Sequence, residues 1–502
     1  MAVVLATPSA TAKSAAELRK TKLGLGLMAA YGSGTLPDSM VATATGTFLL
    51  FYLTAVCGLS NSLAGLALFV GLIVDAFADP IVGSVSDNAK FRLGRRHPFM
   101  LVSFAPMAIG LAMLFSVPRD LSGWGLFAYV TAVSIGLRIC HSLFNLPYVA
   151  LGAELSDDYA ERTRIVASRF VFSVIGGAAC LILATQVFMG GSDGLLRRAA
   201  YAPFGWTCAG VAVIGALVAS LCTLGVLNRL HPSKSKAGSL AGRVISDVVE
   251  VARNRSFLAL FGSILLMYTG AGAGGALLLH AYKFFWRLPA GVIQLVLLAG
   301  PAGALLGVIA GLAIIPRFEK RSVVIGGLCV YCAVLATPPL LRIAGLLPGD
   351  GLGVYAMLVA VAVLLSAVGT ALLIAFQSAL VDAADEHEYL FGTRREGLLF
   401  AGLNFSAKAA VGLGSLVAGL GLDLIHFPTD LAKQSGAGLR IDSTTARDLG
   451  LLYGPGPALL IALSIVIFLG YRLTRNGHAG IQAELLRRGE QEVPLTASGE
   501  KL

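Results

Sequence analysis

LIVDAFADPIVGSVSDNAKFRLGRRHPF, residues 72–99, sets two carboxylates in an apolar run and follows them with a basic loop. Asp75 and Asp79 lie inside a stretch that starts near Asn61 and is long enough to cross a bilayer. Four residues apart, they share one face of a helix. A carboxylate at membrane depth is costly and persists where it meets a water-filled path, a cation or a basic partner. The pair therefore predicts a membrane protein that handles charge inside its second crossing, with ion-coupled transport as the chemistry.

The rest of the chain agrees. It has 502 residues, 56% of them hydrophobic and only 13% charged, too few charges for the surface of a soluble protein this size. Twelve stretches reach crossing length, near 23–54, 61–85, 99–117, 123–152, 165–190, 201–228, 256–286, 290–315, 322–342, 352–383, 396–424 and 450–473. The expected fold is all-α, with twelve transmembrane helices, and the 60 glycines suit close helix packing in lipid. With both termini in the cytoplasm, 26 of the 38 Lys and Arg fall in cytoplasmic segments and nine in outer loops; Arg138, Arg169 and Lys408 remain within spans. The positive-inside rule selects that orientation, in a cell inner (plasma) membrane. The net charge of +10 is then a topology signal, and nucleic-acid binding is excluded because the basic residues are split among short loops. Residues 1–22 place their basic residues after a weakly apolar start, the wrong order for a signal peptide, and read as a cytoplasmic tail.

All seven cysteines fall in or beside apolar stretches. Cys329 and Cys332 form a C-x-x-C with no second pair and no nearby His, so two buried thiols on one helix face are expected rather than a metal or redox site. His141, His280 and His387 show no ligand pattern and read as packing or loop residues. Arg138 reads as a partner for a loop or a lipid phosphate at the bilayer edge. No transition metal, cofactor or enzymatic constellation is expected.

The chain repeats itself. ALGAELSDDYAERTR, residues 150–164, and ALVDAADEHEYLFGTR, residues 379–394, each carry Ala-Leu, two carboxylates three residues apart and a Thr-Arg. That parallel repeat points to the major facilitator architecture of two six-helix halves. The expected organisation is a tail at 1–22, bundles at 23–228 and 256–473, a central cytoplasmic loop at 229–255, and a second cytoplasmic tail at 474–502. The stretch near 240–252 reads equally as an interfacial helix or a solvated linker. In such a fold the solute sits between the halves and charged cytoplasmic loops act as locks. Asp87, Arg92, Arg95, Arg96, Glu154, Asp382, Asp385, Arg394 and Glu396 are the lock residues expected. A solvated loop charge would contribute under about 1 kcal/mol.

Three blocks carry a family resemblance: YGSG at 31–34, D-x-x-x-D-P-x-x-G followed by R-x-G-R-x-x-P, and DAADEHEYLFGTRREG at 382–397. Together they resemble the glycoside–pentoside–hexuronide:cation symporters, which include melibiose permease. The resemblance implies that Asp75 and Asp79 are cation-site carboxylates and that Lys408 is an intramembrane lysine near them. It implies that Arg169 and Asn404 contact the sugar. Lys408 would then compete with the cation for the carboxylates, which is a coupling device.

The chain also departs from that pattern. Asn145 stands where melibiose permease has another carboxylate, and Val149 where it has a stacking aromatic. Ser39 falls at the sugar-binding aspartate, with Asp38 beside it. Asp38, Asn145, Val149, Arg169 and Asn404 are therefore the expected solute contacts, with Tyr31 or Tyr148 as alternative platforms for a sugar ring. Ser142 and Asn145 can add neutral oxygens to Asp75 and Asp79, which suits sodium; the missing carboxylate tilts the choice towards a proton. The expected partners are a small-molecule solute, co-transported H+ or Na+ and the lipid bilayer, with no nucleic acid, around a monomer. A carrier of lysolipid-like amphiphiles and a non-transporting sensor are the competing readings.

Overall fold

A computed structural model describes residues 23–89, 91–156, 158–191, 193–225, 253–347, 351–393, 396–433 and 441–492; for Tyr159, Glu396, Gly397 and 489–492 it describes the backbone alone. Every regular element among the described residues is helical. The first apolar stretch is segmented: α1 (Leu25–Ser33), a turn at Gly34–Thr35, α2 (Leu36–Thr43), then two wide π-helical turns at Ala44–Leu49 and Tyr52–Val56. Pro37 sits in the first turn of α2, where its missing N–H removes no helical hydrogen bond.

The elements that follow are α3 (Asn61–Asn88), α4 (His97–Phe115), α5 (Gly123–Glu154), α6 (Tyr159–Ile182) and α7 (Tyr201–Leu224). Next come α8 (Arg255–His280), α9 (Ala290–Ile314), α10 (Lys320–Ile343), α11 (Leu352–Phe391) and α12 (Glu396–Leu424). The last are α13 (Ser443–Tyr453), α14 (Pro455–Phe468) and α15 (Arg475–Glu492). Among the described residues, 11 continuous helical stretches are long and apolar enough to cross a membrane, with α13 and α14 counted as one. The segmented first stretch makes the twelfth of the sequence reading.

The chain resolves into two compact units. The first gathers the described parts of 1–237 with 275–294 and 415–445; the second gathers those of 238–274, 295–414 and 446–502. In the first unit α4 packs on α5 and α7, α3 on α5, and α1 and α2 on α6 and α7. In lipid there is no hydrophobic drive between helices, so small residues that permit close approach decide the fit. A Cβ at Gly176 of α6 would lie 2.0 Å from Ser39 Oγ, and one at Gly152 of α5 would lie 2.2 Å from Tyr31 Oη. These two contacts seat α1 and α2 against their neighbours. An aromatic cluster of Phe48, Tyr52, Phe115, Tyr201 and Phe204 fills the same unit, with Tyr52 and Tyr201 stacked at 4.2 Å.

Polar contacts fasten the two outlying segments to this unit. Thr54 and His280 Nε2 are hydrogen-bonded at 2.9 Å. Asn61 Nδ2 donates to Asp423 Oδ1 and to the Phe427 carbonyl, both at 3.0 Å, while the Ser62 N–H donates to Asp423 Oδ2 at 2.9 Å. Asp423 thus takes a backbone donor left over at the start of α3.

In the second unit α10 packs on α11 and α14. The segment read as a tail contains α15, which lies against α11. His478 Nε2 is 2.8 Å from Asp385 Oδ2, Gln482 donates to the same oxygen at 3.3 Å, and the Arg488 guanidinium lies 4.8 Å from the Tyr389 ring. Cys329 is exposed on α10 rather than buried, and Cys332 is half-buried with its thiol towards the Ala458 carbonyl. No group of His, Cys, Asp and Glu suited to a metal occurs among the described residues. Residues 1–22 and most of the central loop lie outside them.

Candidate cation and solute site

The crossing of α3 and α5 creates the site. A Cβ at Gly71 would lie 2.3 Å from Ser134 Oγ, so the two helices approach closely there. One turn on from Gly71 is Asp75; two turns on from Ser134 is Ser142. The register brings the Ser142 hydroxyl to 2.7 Å from Asp75 Oδ1 and 2.7 Å from Asp79 Oδ1. Asp75 and Ser142 are buried, and Asp79 is half-buried.

That geometry constrains the charge. A serine hydroxyl carries one proton and donates one hydrogen bond. Its second carboxylate contact needs positive charge nearby, from a cation, a proton or a basic side chain. The arrangement thus fits a single positive charge, either a proton or a small cation bound by oxygens. Asn145 is half-buried one turn beyond Ser142 and makes no hydrogen bond to either aspartate among the described residues.

Arg138 lies midway along α5 and has partners within the bundle rather than a loop. It is half-buried on α5, donates to Thr45 Oγ1 at 3.2 Å, and lies within electrostatic reach of both Asp75 and Asp38. His141 is buried, and it makes a polar contact besides its packing. Its Nε2 lies 2.9 Å from Asp38 Oδ1, with the imidazole 7% exposed and the carboxylate 39%. Neither pairing is visible from spacing, because Asp38 and His141 are 103 residues apart. A signal did exist: an Arg, a His and a Ser fall within one turn or so of a single apolar helix.

Ser39 and Asp38 take different directions. Ser39 is buried against Gly176 and donates to the Leu36 carbonyl, while Asp38 turns to His141. Tyr31 and Tyr148 are fully buried and stacked on each other at 4.7 Å, so neither ring is available as a solute platform. Each tyrosine hydroxyl donates to the other's backbone carbonyl, Tyr31 at 3.0 Å and Tyr148 at 2.8 Å. The Arg169 guanidinium lies 5.3 Å from the Tyr148 ring, which fixes a half-buried cation beside the pair. Val149 is exposed on α5.

At the far end of α3, Arg95 and Arg96 both bond to Glu154 Oε1, and Arg96 reaches Asp87 at 3.5 Å. Four of the predicted lock residues are thereby brought together in the first unit, while Arg92 is exposed. In the second unit Asp382 pairs with Lys320 at 2.7 Å, and Asp385 pairs with His478. Lys320 and His478 are partners the sequence reading did not name. Arg394 and the Glu396 side chain lie outside the described residues. On α12, Asn404 is exposed and Lys408 half-buried, one turn apart on one face.

Helices of crossing length with charged side chains inside them define a polytopic membrane protein, and the family it matches is one of transporters. The chain belongs to the MFS/sugar transport protein family, whose model matches residues 30–475, and within it to the glycoside–pentoside–hexuronide:cation symporters. It is 26% identical to an uncharacterised symporter of Synechocystis, over 94% of this chain and 98% of that one. It is 25% identical to a glucuronide carrier protein homologue of Escherichia coli, over 77% of this chain and 81% of that one. An isoprimeverose transporter of Lactiplantibacillus pentosus is also 25% identical, over 74% and 75%. The fold is similar to the xylose transporter XylE of E. coli, with a TM-score of 0.56 at 14% identity over 90% of this chain and 98% of that one.

Proposed function

We propose that this protein is a cation-coupled symporter of a sugar or glycoside-like solute. The observation that carries the reading is the Ser142 hydroxyl shared between Asp75 and Asp79. It is a place for one mobile positive charge inside a family of sugar transporters. The names of the relatives, symporters and carriers of glucuronides or glycosides, support the solute class.

In this reading Asp75, Asp79 and Ser142 hold the co-transported cation, with Asn145 one turn away. Asn145, Val149 and Arg169 face the solute, and Arg169 supplies the charge that would suit an acidic sugar. On α12, Asn404 offers an amide for solute hydroxyls and Lys408 a cation for charge exchange. Asp38 engages the solute through its exposed face. The Asp87–Arg95–Arg96–Glu154 cluster and the Asp382 and Asp385 pairs are cytoplasmic locks, both termini lying on that side.

The test is the transient current from proteoliposomes on a solid-supported membrane. Glycosides, pentoses, hexuronates and lysolipids are applied with and without sodium at two pH values. A sugar-evoked current that vanishes in Asp75→Asn is expected, and its sodium or pH dependence identifies the ion. Silence to every sugar in the wild type overturns the proposal.

A further inference from the structure

We propose that a basic cavity on the outer face of the first unit captures an acidic sugar ahead of the transport path. The proposal rests on the symport reading above and adds a site that reading does not contain.

Three observations carry it. The first is charge in an unexpected place. The positive-inside rule keeps Lys and Arg out of outer loops, and nine of the 38 are expected there. Four of those nine, Arg119, Arg197, Arg198 and Lys433, line one cavity of about 710 Å³, although they come from three loops. The loops join α4 to α5, α6 to α7 and α12 to α13. The Tyr52–Val56 turn packs against 194–196 and 431–433, which brings the second and third loops together. α4 leads from Arg96 to the first loop, so the cavity lies at the far end of the unit from the Arg95–Arg96–Glu154 cluster.

The second is how the cations are held. Arg197 Nη2 donates to the Phe188 carbonyl, and Arg198 Nη2 donates to the Val117 and Pro118 carbonyls at 3.3 and 3.2 Å. Backbone carbonyls orient these guanidinium groups without cancelling their charge, and each keeps further N–H donors. Arg119, Arg197 and Arg198 make no ion pair among the described residues. A guanidinium matches the two oxygens of a carboxylate in a fork of parallel hydrogen bonds.

The third is the pair of acceptors in the same wall, Asp193 and Asp430. Asp193 Oδ1 is 3.5 Å from Lys283 Nζ, and Asp430 pairs with Lys433. Asp430 stands at φ 58°, and its N–H donates to the Thr54 carbonyl at 3.0 Å, so the backbone fixes its position. Each carboxylate has several lone-pair sites and can accept from hydroxyls as well as from its lysine. Sulfate has no hydroxyl to offer them. A sugar acid offers both parts, one charged group for the arginines and hydroxyls for the aspartates. Gly190, Gly191 and Gly194 complete the wall and let a ring approach the backbone.

The test is binding, without transport. Full-length protein in phosphatidylcholine nanodiscs is titrated with glucuronate by ligand-observed NMR, with glucose as the neutral control. Arg197→Gln combined with Arg198→Gln should raise the glucuronate Kd by about tenfold, as the loss of a charged hydrogen bond does. Arg169→Gln, which alters only the central site, should leave this binding in place, and glucose should bind more weakly than glucuronate. An unchanged Kd in the double variant overturns the site, and loss of binding in Arg169→Gln overturns it in favour of the central site. Displacement of glucuronate by equimolar sulfate would make the cavity a plain anion site and overturn its assignment to a sugar acid. Should the double variant fail to fold, Arg119→Gln with Lys433→Gln, both at exposed residues, serves in the same titration. Failure of the symport reading shows separately, as silence of the wild type to every sugar in the current measurement.

Discussion

Ser142 Oγ stands 2.7 Å from Oδ1 of Asp75 and 2.7 Å from Oδ1 of Asp79, one hydroxyl between two acids a helical turn apart. A hydrogen bond to a charged group contributes about 1.5–3 kcal/mol. Ser142→Ala should therefore raise the cation concentration for half-maximal solute current by tenfold or more. Solute currents measured across a cation series check this. An unchanged cation dependence would remove Ser142 from the site.

The contact of Ser39 with Gly176 leads to a paired prediction. Gly176→Ala puts a methyl 2.0 Å from Ser39 Oγ and 3.1 Å from Ser39 Cβ, so it should destabilise the protein by about 1–3 kcal/mol, as overpacking does. Ser39→Ala removes the offending oxygen, and the double variant should recover most of the lost thermal stability in detergent. Additive losses would show that the contact is not the cause. Ser39→Asp should fail by the same geometry, since there is no room for a carboxylate at position 39.

Glu154 accepts from Arg95 and Arg96 with the same oxygen, and its side chain is 11% exposed. Glu154→Gln leaves two guanidinium groups facing each other with a neutral amide between them. Breaking an ion pair that is mostly withdrawn from water costs about 3 kcal/mol when one partner is lost. A fall of several degrees in the melting temperature is expected for Glu154→Gln, with a smaller fall for Asp87→Asn, because Asp87 is 52% exposed. Differential scanning fluorimetry separates the two.

The second unit offers a local prediction. α15 is held to α11 by His478 and Gln482 on Asp385, and by Arg488 on Tyr389. Asp385→Ala should raise amide hydrogen exchange across 475–488 while leaving the apolar part of α11 protected. Protection of α15 unchanged in Asp385→Ala would mean that the carboxylate does not fasten it.

Much of this was legible in the sequence, for identifiable reasons. The carboxylate pair at 75 and 79 was readable because helical periodicity alone puts both groups on one face. Ser142 was readable as a neutral oxygen, one turn from Asn145, on a span that could stand beside the two aspartates. Glu154 and the arginines of the loop were grouped through the internal repeat. The Asp38–His141 contact was not readable, because it joins residues 103 apart and depends on how α2, which begins after a break at Gly34–Thr35, packs beside α5. The stacking of Tyr31 on Tyr148 was hidden for a similar reason: glycine at 152 lets Tyr31 penetrate to α5, and only packing reveals it. α15 escaped notice because a polar helix without a strong apolar stripe looks like a tail until its partners on α11 are seen.

In the symport proposed for this protein, a cation at Asp75 and Asp79 drives solute movement. The most direct measurement is uphill accumulation of the responding sugar in proteoliposomes under an imposed cation gradient, set against exchange of the same sugar across liposomes without one. The account predicts accumulation by the wild type and none by Asp75→Asn, whatever exchange that variant retains. Asp75→Asn accumulating solute as the wild type does would contradict it.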